Sequence, residues 1–437
     1  MLRRKAYETL LTWKRNRDSR GLLITGARQV GKTTLIEEFA AQNYDAIVEI
    51  NFYENPGAVE TVSAARDAAD LFMRLSVLGR TEIIPGNTLV FLDEIQECED
   101  ALTWLKFLME RTDCDYVFSG SRLGLDSFDP RSLPVGFLQT ITMYPLDFEE
   151  FCWAEGIPKS ALAQVRDCFE QRRPVPDYLH DLLIDTFYKY LLVGGLPHAV
   201  QVFEDTKSLP NVRTAQSQVH DLYAYDIAKY VGDKTEARQI RMVFDAIPGQ
   251  LNEQNKRFKY TRLGKNLRFA NLETAFDWLS HAGVALAVTR AEEPLFPLGL
   301  HEDRSSLKLY SNDVGLLSSQ LAEGADLDIL NKRSYINFGS IFENAAAQEF
   351  FAHGFEPRYY NTKFLGEIDF VLQRKRGGVV LCEIKSGKDY RRHSALNNLL
   401  ATENYTFDEV LVFCDANVSR LGRVDYVPIY MLGFVEA

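Results

Sequence analysis

No apolar stretch of this sequence approaches the ~20 residues needed to cross a bilayer, so no membrane partner is expected. The six cysteines (98, 114, 152, 168, 382 and 414) lie scattered, with no Cys-x-x-Cys pair. That spacing argues against a zinc site or a disulfide framework and fits a reducing, cytoplasmic setting. The opening residues, MLRRKAYETLLTWKRNRD, are polar and charged rather than signal-like. Seven histidines are dispersed without a His-x-x-x-His pair, and His198 reads as a loop or core residue. A Gly-x-Ser-x-Gly elbow is absent, as are internal repeats and low-complexity runs. Positive charge is also in short supply: 49 basic against 61 acidic residues give a net charge of −12. Any contact with nucleic acid must therefore rest on local basic patches.

What is present is a chain of 437 residues, enough for two to four domains. Its first part alternates strand and helix signals, the pattern of a parallel α/β sheet. Strands are expected at Gly21–Thr25, Ala46–Phe52, Thr88–Asp93, Tyr116–Ser119 and Gln139–Met143, with helices at Thr33–Ala41 and Leu102–Glu110. A polar, irregular connector is expected around Pro158–Pro176, then helices from Asp181 to Asp233. Gly194-Gly195 with Leu196-Pro197 interrupts them and reads as a structural turn that packs domains together.

The strand Leu22–Thr25 runs into Gly26-Ala27-Arg28-Gln29-Val30-Gly31-Lys32-Thr33-Thr34 and then a helical pattern. Glycines at both ends let the backbone turn so that successive N–H groups point at phosphate oxygens. The helix N-terminus adds partial positive charge. Lys32 is expected to neutralise the β- and γ-phosphates of ATP, and the Thr33 hydroxyl to ligate Mg²⁺. The apolar run Thr88–Leu92 ends in Asp93-Glu94, with Asp93 suited to the magnesium shell and Glu94 to polarising the attacking water. Ser119, at the end of another buried strand, either reaches the γ-phosphate or belongs to a Gly-Ser turn.

These motifs, with the MYPLDFEEF stretch at Met143–Phe151, resemble an AAA-type ATPase family of bacteria and archaea. Its members carry a C-terminal domain of originally unknown function. The likeness implies the same roles for Lys32, Thr33, Asp93 and Glu94. Many members of the family carry Gly-Arg before the YPLDF-like strand, where this chain has Gly136-Phe137. Arg122 and Arg131 are the nearby alternatives for an arginine finger, so a homo-oligomer stays open.

Phe258-Lys259-Tyr260-Thr261 resembles the opening of a winged-helix unit, with a short helix near Arg262–Leu267, a second at Leu272–Ala282 and a strand from Val284. Lys256, Arg257, Lys259, Arg262, Lys265 and Arg268 crowd this module with no acid among them, a candidate phosphate contact. Glu273 and Asp277 make the second helix acidic and poorly suited to base readout.

Near the end, a helix from Ser340 carries Glu343, an extended segment carries Asp369, and the strand Val379–Ser386 carries Glu383 and Lys385. Residues two apart share a strand face, so Glu383 and Lys385 project together. Two carboxylates can hold Mg²⁺ or Mn²⁺, and a lysine beside them can orient water. The set resembles the restriction-endonuclease-like PD-(D/E)xK superfamily, with Ile368 where the usual proline stands. That likeness implies catalytic roles for Asp369, Glu383 and Lys385 and a metal role for Asp369, Glu383 and Glu343. The plainer alternative is an exposed hairpin of alternating charge.

The expected architecture is thus α/β: a P-loop parallel-sheet ATPase domain (1–155), a helical lid or linker (156–234), a winged-helix-like module (235–330) and a restriction-endonuclease-like domain (331–437). The favoured function is a magnesium-dependent ATPase acting on DNA, with a metal-dependent nuclease domain at its C-terminal end as the companion expectation. The rival is a signalling or scaffold ATPase whose inactive nuclease-like domain binds a protein partner.

Overall fold

The computed structural model describes residues 2–16, 21–120, 138–320, 325–330 and 338–437. These form two compact units, one built on residues 3–144 and the other on residues 145–280 and 284–437. The division falls at Tyr144 and Pro145, ahead of the boundary expected at residue 155.

The first unit holds helix α1 (Ala6–Asn16), strand β1 (Gly21–Thr25), α2 (Lys32–Asn43), β2 (Ala46–Asn51), α3 (Pro56–Ser63) and α4 (Ala68–Gly79). Then come β3 (Thr88–Asp93), α5 (Glu99–Arg111), β4 (Asp115–Gly120) and β5 (Leu138–Thr142). The five strands are all parallel, in the order β2-β3-β4-β1-β5. Strands β1, β3 and β4 are buried along their whole length, as central parallel strands covered on both faces must be. Helices α3 and α4 are additions to the expected elements. Their start signals are local: Asn55 caps α3 ahead of Pro56, and the Asp67 carboxylate accepts from the N–H groups of Ala69 and Asp70.

The second unit continues with α6 (Phe148–Ala154), α7 (Lys159–Glu170), α8 (Asp177–Val193), α9 (Pro197–Thr206), α10 (Leu209–Tyr230), α11 (Lys234–Leu251), α12 (Tyr260–Leu263) and α13 (Phe269–His281). The expected irregular connector is therefore a helix. In α7, Leu162, Val165, Cys168 and Phe169 recur at helical spacing and are buried. A hairpin of β6 (Ala285–Ala291) and β7 (Glu302–Ser311) follows, then α14 (Val314–Ser319), α15 (Ala325–Leu330) and α16 (Phe338–Ala352). The last elements are β8 (Arg358–Thr362), β9 (Gly366–Gln373), β10 (Val379–Ile384), α17 (Ser394–Leu400), β11 (Glu409–Cys414), β12 (Ser419–Leu421) and β13 (Val424–Pro428).

One eight-stranded mixed sheet, β12-β13-β11-β10-β9-β8-β6-β7, joins the hairpin to the C-terminal strands. Strand β6 pairs parallel to β8, Thr289 opposite Arg358, so the sheet runs across the boundary expected at residue 330. Leu381, Val410, Val412 and Tyr426 pack with Leu396 and Leu399 of α17. Phe370 and Phe413 meet Phe350 of α16 at ring-centroid distances of 5.3 and 6.3 Å. All six cysteines are buried and free.

Helix α16 is buried almost throughout although it carries Glu343, Asn344, Gln348 and Glu349. Buried polar groups need partners, and each has one from elsewhere in the unit. Asn344 accepts from the Ser311 N–H (2.8 Å) and donates to its carbonyl (3.1 Å). Gln348 accepts from the Val314 N–H (2.8 Å) and donates to the Tyr190 hydroxyl (2.9 Å). Glu349 accepts from the Phe148 N–H at 2.7 Å. The Gly194-Gly195 turn is threaded into the same region: the Leu146 N–H donates to the Gly195 carbonyl (2.6 Å), and the Gly195 N–H to the Asp313 carboxylate (2.6 Å). A Cβ on Gly195 would lie 2.0 Å from the Leu146 carbonyl oxygen, whereas one on Gly249, inside α11, would meet nothing within 4 Å.

Gly195→Ala is expected to destabilise the second unit by about 2–3 kcal/mol through overpacking against backbone. Gly249→Ala is expected to stabilise it by roughly 0.5–1 kcal/mol through a less flexible unfolded chain. Urea denaturation midpoints of the two variants should move in opposite directions.

Candidate functional site

Strand β1 ends at Thr25, and the loop Gly26–Gly31 carries the chain to the first residue of α2, Lys32. Gly26, Gln29 and Gly31 have positive φ (145°, 66° and 90°), which curls the loop around its own N–H groups. A side chain at Gly26 would put a Cβ 2.3 Å from the Met143 carbonyl oxygen, so glycine is required there. Ala27 and Val30 are buried and anchor the loop. Arg28 lies 5.1 Å over the Tyr53 ring, and Thr34 is exposed on the first turn of α2.

Lys32 is 6% exposed, and its ammonium donates to the carbonyls of Gly26 (3.0 Å) and Ala27 (2.9 Å). Burial lowers its pKa, opposed by the nearby Glu94 and Asp93 charges. The Thr33 hydroxyl donates to one oxygen of the Asp93 carboxylate at 3.0 Å. Asn51 donates to the same oxygen at 3.1 Å, and the Ser119 hydroxyl donates to the other. Asp93 is buried, which raises its pKa, while Ser119 and Thr33 work against the rise. Glu94 sits in the left-handed region, with φ 51°, and its carboxylate accepts from the Gln96 side chain. The structure therefore brings together Lys32, Thr33, Asp93, Glu94 and Ser119. Ser121, Arg122, Arg131, Gly136 and Phe137 lie outside the described residues.

Two contributors escaped the sequence reading. Arg4, buried ahead of α1, donates to the carbonyls of Val30 (2.7 Å) and Tyr144 (2.6 Å), pinning the loop. Asn51 closes β2 beside Asp93 in the register of the parallel sheet. Neither belongs to a motif; only a polar residue at a strand end hinted at Asn51.

The loop carbonyls, inward N–H groups and convergent oxygens of Thr33 and Asp93 form a donor set suited to a triphosphate and a hard cation.

In the second unit, Asp369 of β9 accepts from the Ile384 N–H of β10 at 2.9 Å, and the Lys385 ammonium donates to Glu383 at 2.7 Å. The expected Asp369, Glu383, Lys385 and Glu343 therefore do converge. A residue unforeseen in the sequence stands among them. Lys308 of β7 is fully buried, with Nζ 2.7 Å from Glu367, 3.4 Å from Glu343 and 3.9 Å from Asp369. Glu343 also accepts from Lys256 and from the Tyr310 hydroxyl (3.1 Å). Burial disfavours the Lys308 charge, but Glu343, Glu367 and Asp369 outweigh it and raise its pKa. Burial, then Glu343 and Glu383, push the Asp369 carboxyl up. With an ammonium already among its oxygens, this cluster does not fit a divalent ion as it stands. The missed signal was Lys308 itself, between Leu307 and Leu309 in the part of β7 that is buried on both faces.

Another polar cluster, Asp147, Glu349 and His353, is occupied with packing: Asp147 caps α6, and His353 lies 3.2 Å from it. Among the described residues, no helix is long and apolar enough to cross a membrane.

Residues 18–152 match the family model of an AAA domain. Residues 184–327 and 338–432 match two domains of unknown function, DUF8612 and DUF4143. Comparison with curated proteins gives no significant match. Among solved structures, the Walker-type ATPase paby2304 of Pyrococcus abyssi is similar at 13% identity and a TM-score of 0.44, over 73% of this chain and 95% of that one. The Orc1 protein of Aeropyrum pernix, solved in complex with DNA, is similar at 12% identity and a TM-score of 0.29, over 76% and 93%. Cdc6p from Pyrobaculum aerophilum follows at 11% identity and a TM-score of 0.26, over 75% and 93%. Scores this low decide nothing about this chain. The family match and the phosphate loop together identify residues 18–152 as an ATPase domain of the AAA type.

Proposed function

We propose that this chain is a magnesium-dependent ATPase whose second unit is a binding module. The observation that supports the first half is the 3.0 Å bond from Thr33 to Asp93, which sets a helix-borne hydroxyl against a strand-borne carboxylate beside Lys32. Thr33 and Asp93 would hold the magnesium ion, which when bound neutralises charge on the phosphoryl oxygens. The Gly26–Gly31 N–H groups, with Thr34, would seat the phosphates, and Lys32 would leave the neutral carbonyls of Gly26 and Ala27 for them. Glu94 would orient the attacking water, held in place by Gln96. Ser119, bonded to Asp93, would link the tip of β4 to nucleotide state.

DNA is the partner that charge supports for the second unit. Lys265, Arg268, Lys375, Arg376 and Lys388 are exposed there. Half of the basic run at 256–268 is spent internally: Lys256 pairs with Glu343, and Lys259 and Arg262 with Glu253. The order helix, three antiparallel strands, helix, parallel strand, together with Asp369, Glu383 and Lys385, supports the nuclease-like resemblance. Lys308 supports reading this domain as one that binds a partner without cleaving it.

Glu94→Gln is expected to keep ATP binding and lose about a hundredfold in turnover, while Lys32→Ala loses both; a Lys32→Ala chain with full turnover would refute the site. DNA should raise the wild-type ATPase rate, and Mg²⁺- or Mn²⁺-dependent plasmid nicking should be absent. DNA-independent turnover would point to a protein partner instead, and nicking lost in Asp369→Ala would restore the nuclease.

Because burial raises the Asp93 pKa, its nucleotide-free carboxyl takes up a proton at higher pH than an exposed aspartate does. Magnesium–nucleotide binding must expel that proton, so affinity should fall on acidification before exposed carboxylates, at about pH 4, titrate. Fluorescent-nucleotide titrations across pH should show the fall in wild type and a flat, weak profile in Asp93→Asn.

A further inference from the structure

Four carboxylates meet inside the second unit: Glu343 from α16, Glu367 and Asp369 from β9, and Glu383 from β10. Three ammonium groups face them, from Lys256, Lys308 and Lys385. Lys308 is the central one. It reaches three of the four carboxylates from a strand that also buries Leu307, Leu309 and Tyr310. Its ammonium also lies 5.2 Å over the Tyr359 ring.

We propose that the Lys308 ammonium is the resident cation of this cluster, standing where a divalent ion would bind, and that the cluster takes a divalent ion only once that ammonium is removed. Its Nζ lies 2.7 Å from Glu367 and 3.4 Å from Glu343, so the ammonium occupies the space between these carboxylates. Lys308 cannot swing out to solvent as a surface lysine can, because β7 is paired with β6 at this point, Lys308 opposite Val288, and the side chain is fully buried. A divalent ion entering beside it would meet a fixed like charge in a desolvated setting. The oxygens needed for a metal are nevertheless present. One Glu383 carboxylate oxygen and the Tyr359 hydroxyl are buried without a hydrogen-bond partner. Removing the ammonium leaves an excess of buried negative charge with unused donors, which is what a hard cation seeks. The inference stands whether or not the second unit touches DNA.

The test is a Mn²⁺ titration of the nucleotide-free full chain, followed by electron paramagnetic resonance. Wild type, Asp369→Asn, Lys308→Met and the Lys308→Met/Asp369→Asn double variant are compared, so that sites elsewhere cancel. Wild type and Asp369→Asn should bind alike. Lys308→Met should gain one site at least tenfold tighter than anything in wild type, which the double variant loses. Lys308→Met should also melt at a lower temperature than wild type and recover in millimolar Mn²⁺. Weaker Mn²⁺ binding in Asp369→Asn than in wild type would overturn the proposal, as would a folded Lys308→Met that gains no site. Should Lys308→Met fail to fold even with Mn²⁺, the wild-type and Asp369→Asn pair alone decides: equality supports the resident ammonium and a loss refutes it.

Discussion

The second unit depends on the buried polar edge of α16. A helix that hides Glu343, Asn344, Gln348 and Glu349 is tolerable only if every one is satisfied, because an orphaned buried polar group costs about 1–3 kcal/mol. Their partners come from β7 and α8 and from the starts of α14 and α6. One helix therefore binds segments distant from it in sequence, Phe148 lying 201 residues from Glu349. Apolar packing alone would allow those segments to slide; fixed donors and acceptors do not. This is the sense in which a polar core specifies one arrangement.

The two lysines at the centres of the two sites show opposite uses of buried charge. Lys32 rests on neutral carbonyls, so its charge is uncompensated at close range and available to an anion. Lys308 rests on carboxylates and is neutralised within the fold. The same side chain is poised for ligand in one setting and consumed by structure in the other. Sequence motifs record the first because the loop around Lys32 is contiguous. They miss the second because its partners lie on two other elements, α16 and β9, away from its own strand.

That contrast accounts for what could be read from residues alone. The strands β1, β3 and β4, the loop and Asp93 were readable because short buried runs and a glycine-bracketed turn are local signals. Asp369, Glu383 and Lys385 were readable as a convergence because strand periodicity puts Glu383 and Lys385 on one face. Lys308, Arg4 and Asn51 were not, since their meaning lies in partners up to 140 residues away. The helix α7 was hidden by its polar residues, which mask a four-residue apolar stripe. The pairing of β6 with β8 was hidden too, because nothing in either strand names its neighbour.

That pairing has a consequence for how the chain divides. The segment matched as DUF4143 begins at residue 338, after the hairpin, yet the hairpin supplies the strand that covers β8. A polypeptide cut at that point would carry an open β edge, the kind of surface that recruits other chains. It would also leave Lys308 behind, stripping the carboxylates of their central counter-charge. The matched segment and the compact unit therefore differ here, and a piece that keeps both β6 and the partners of α16 must reach back to α6.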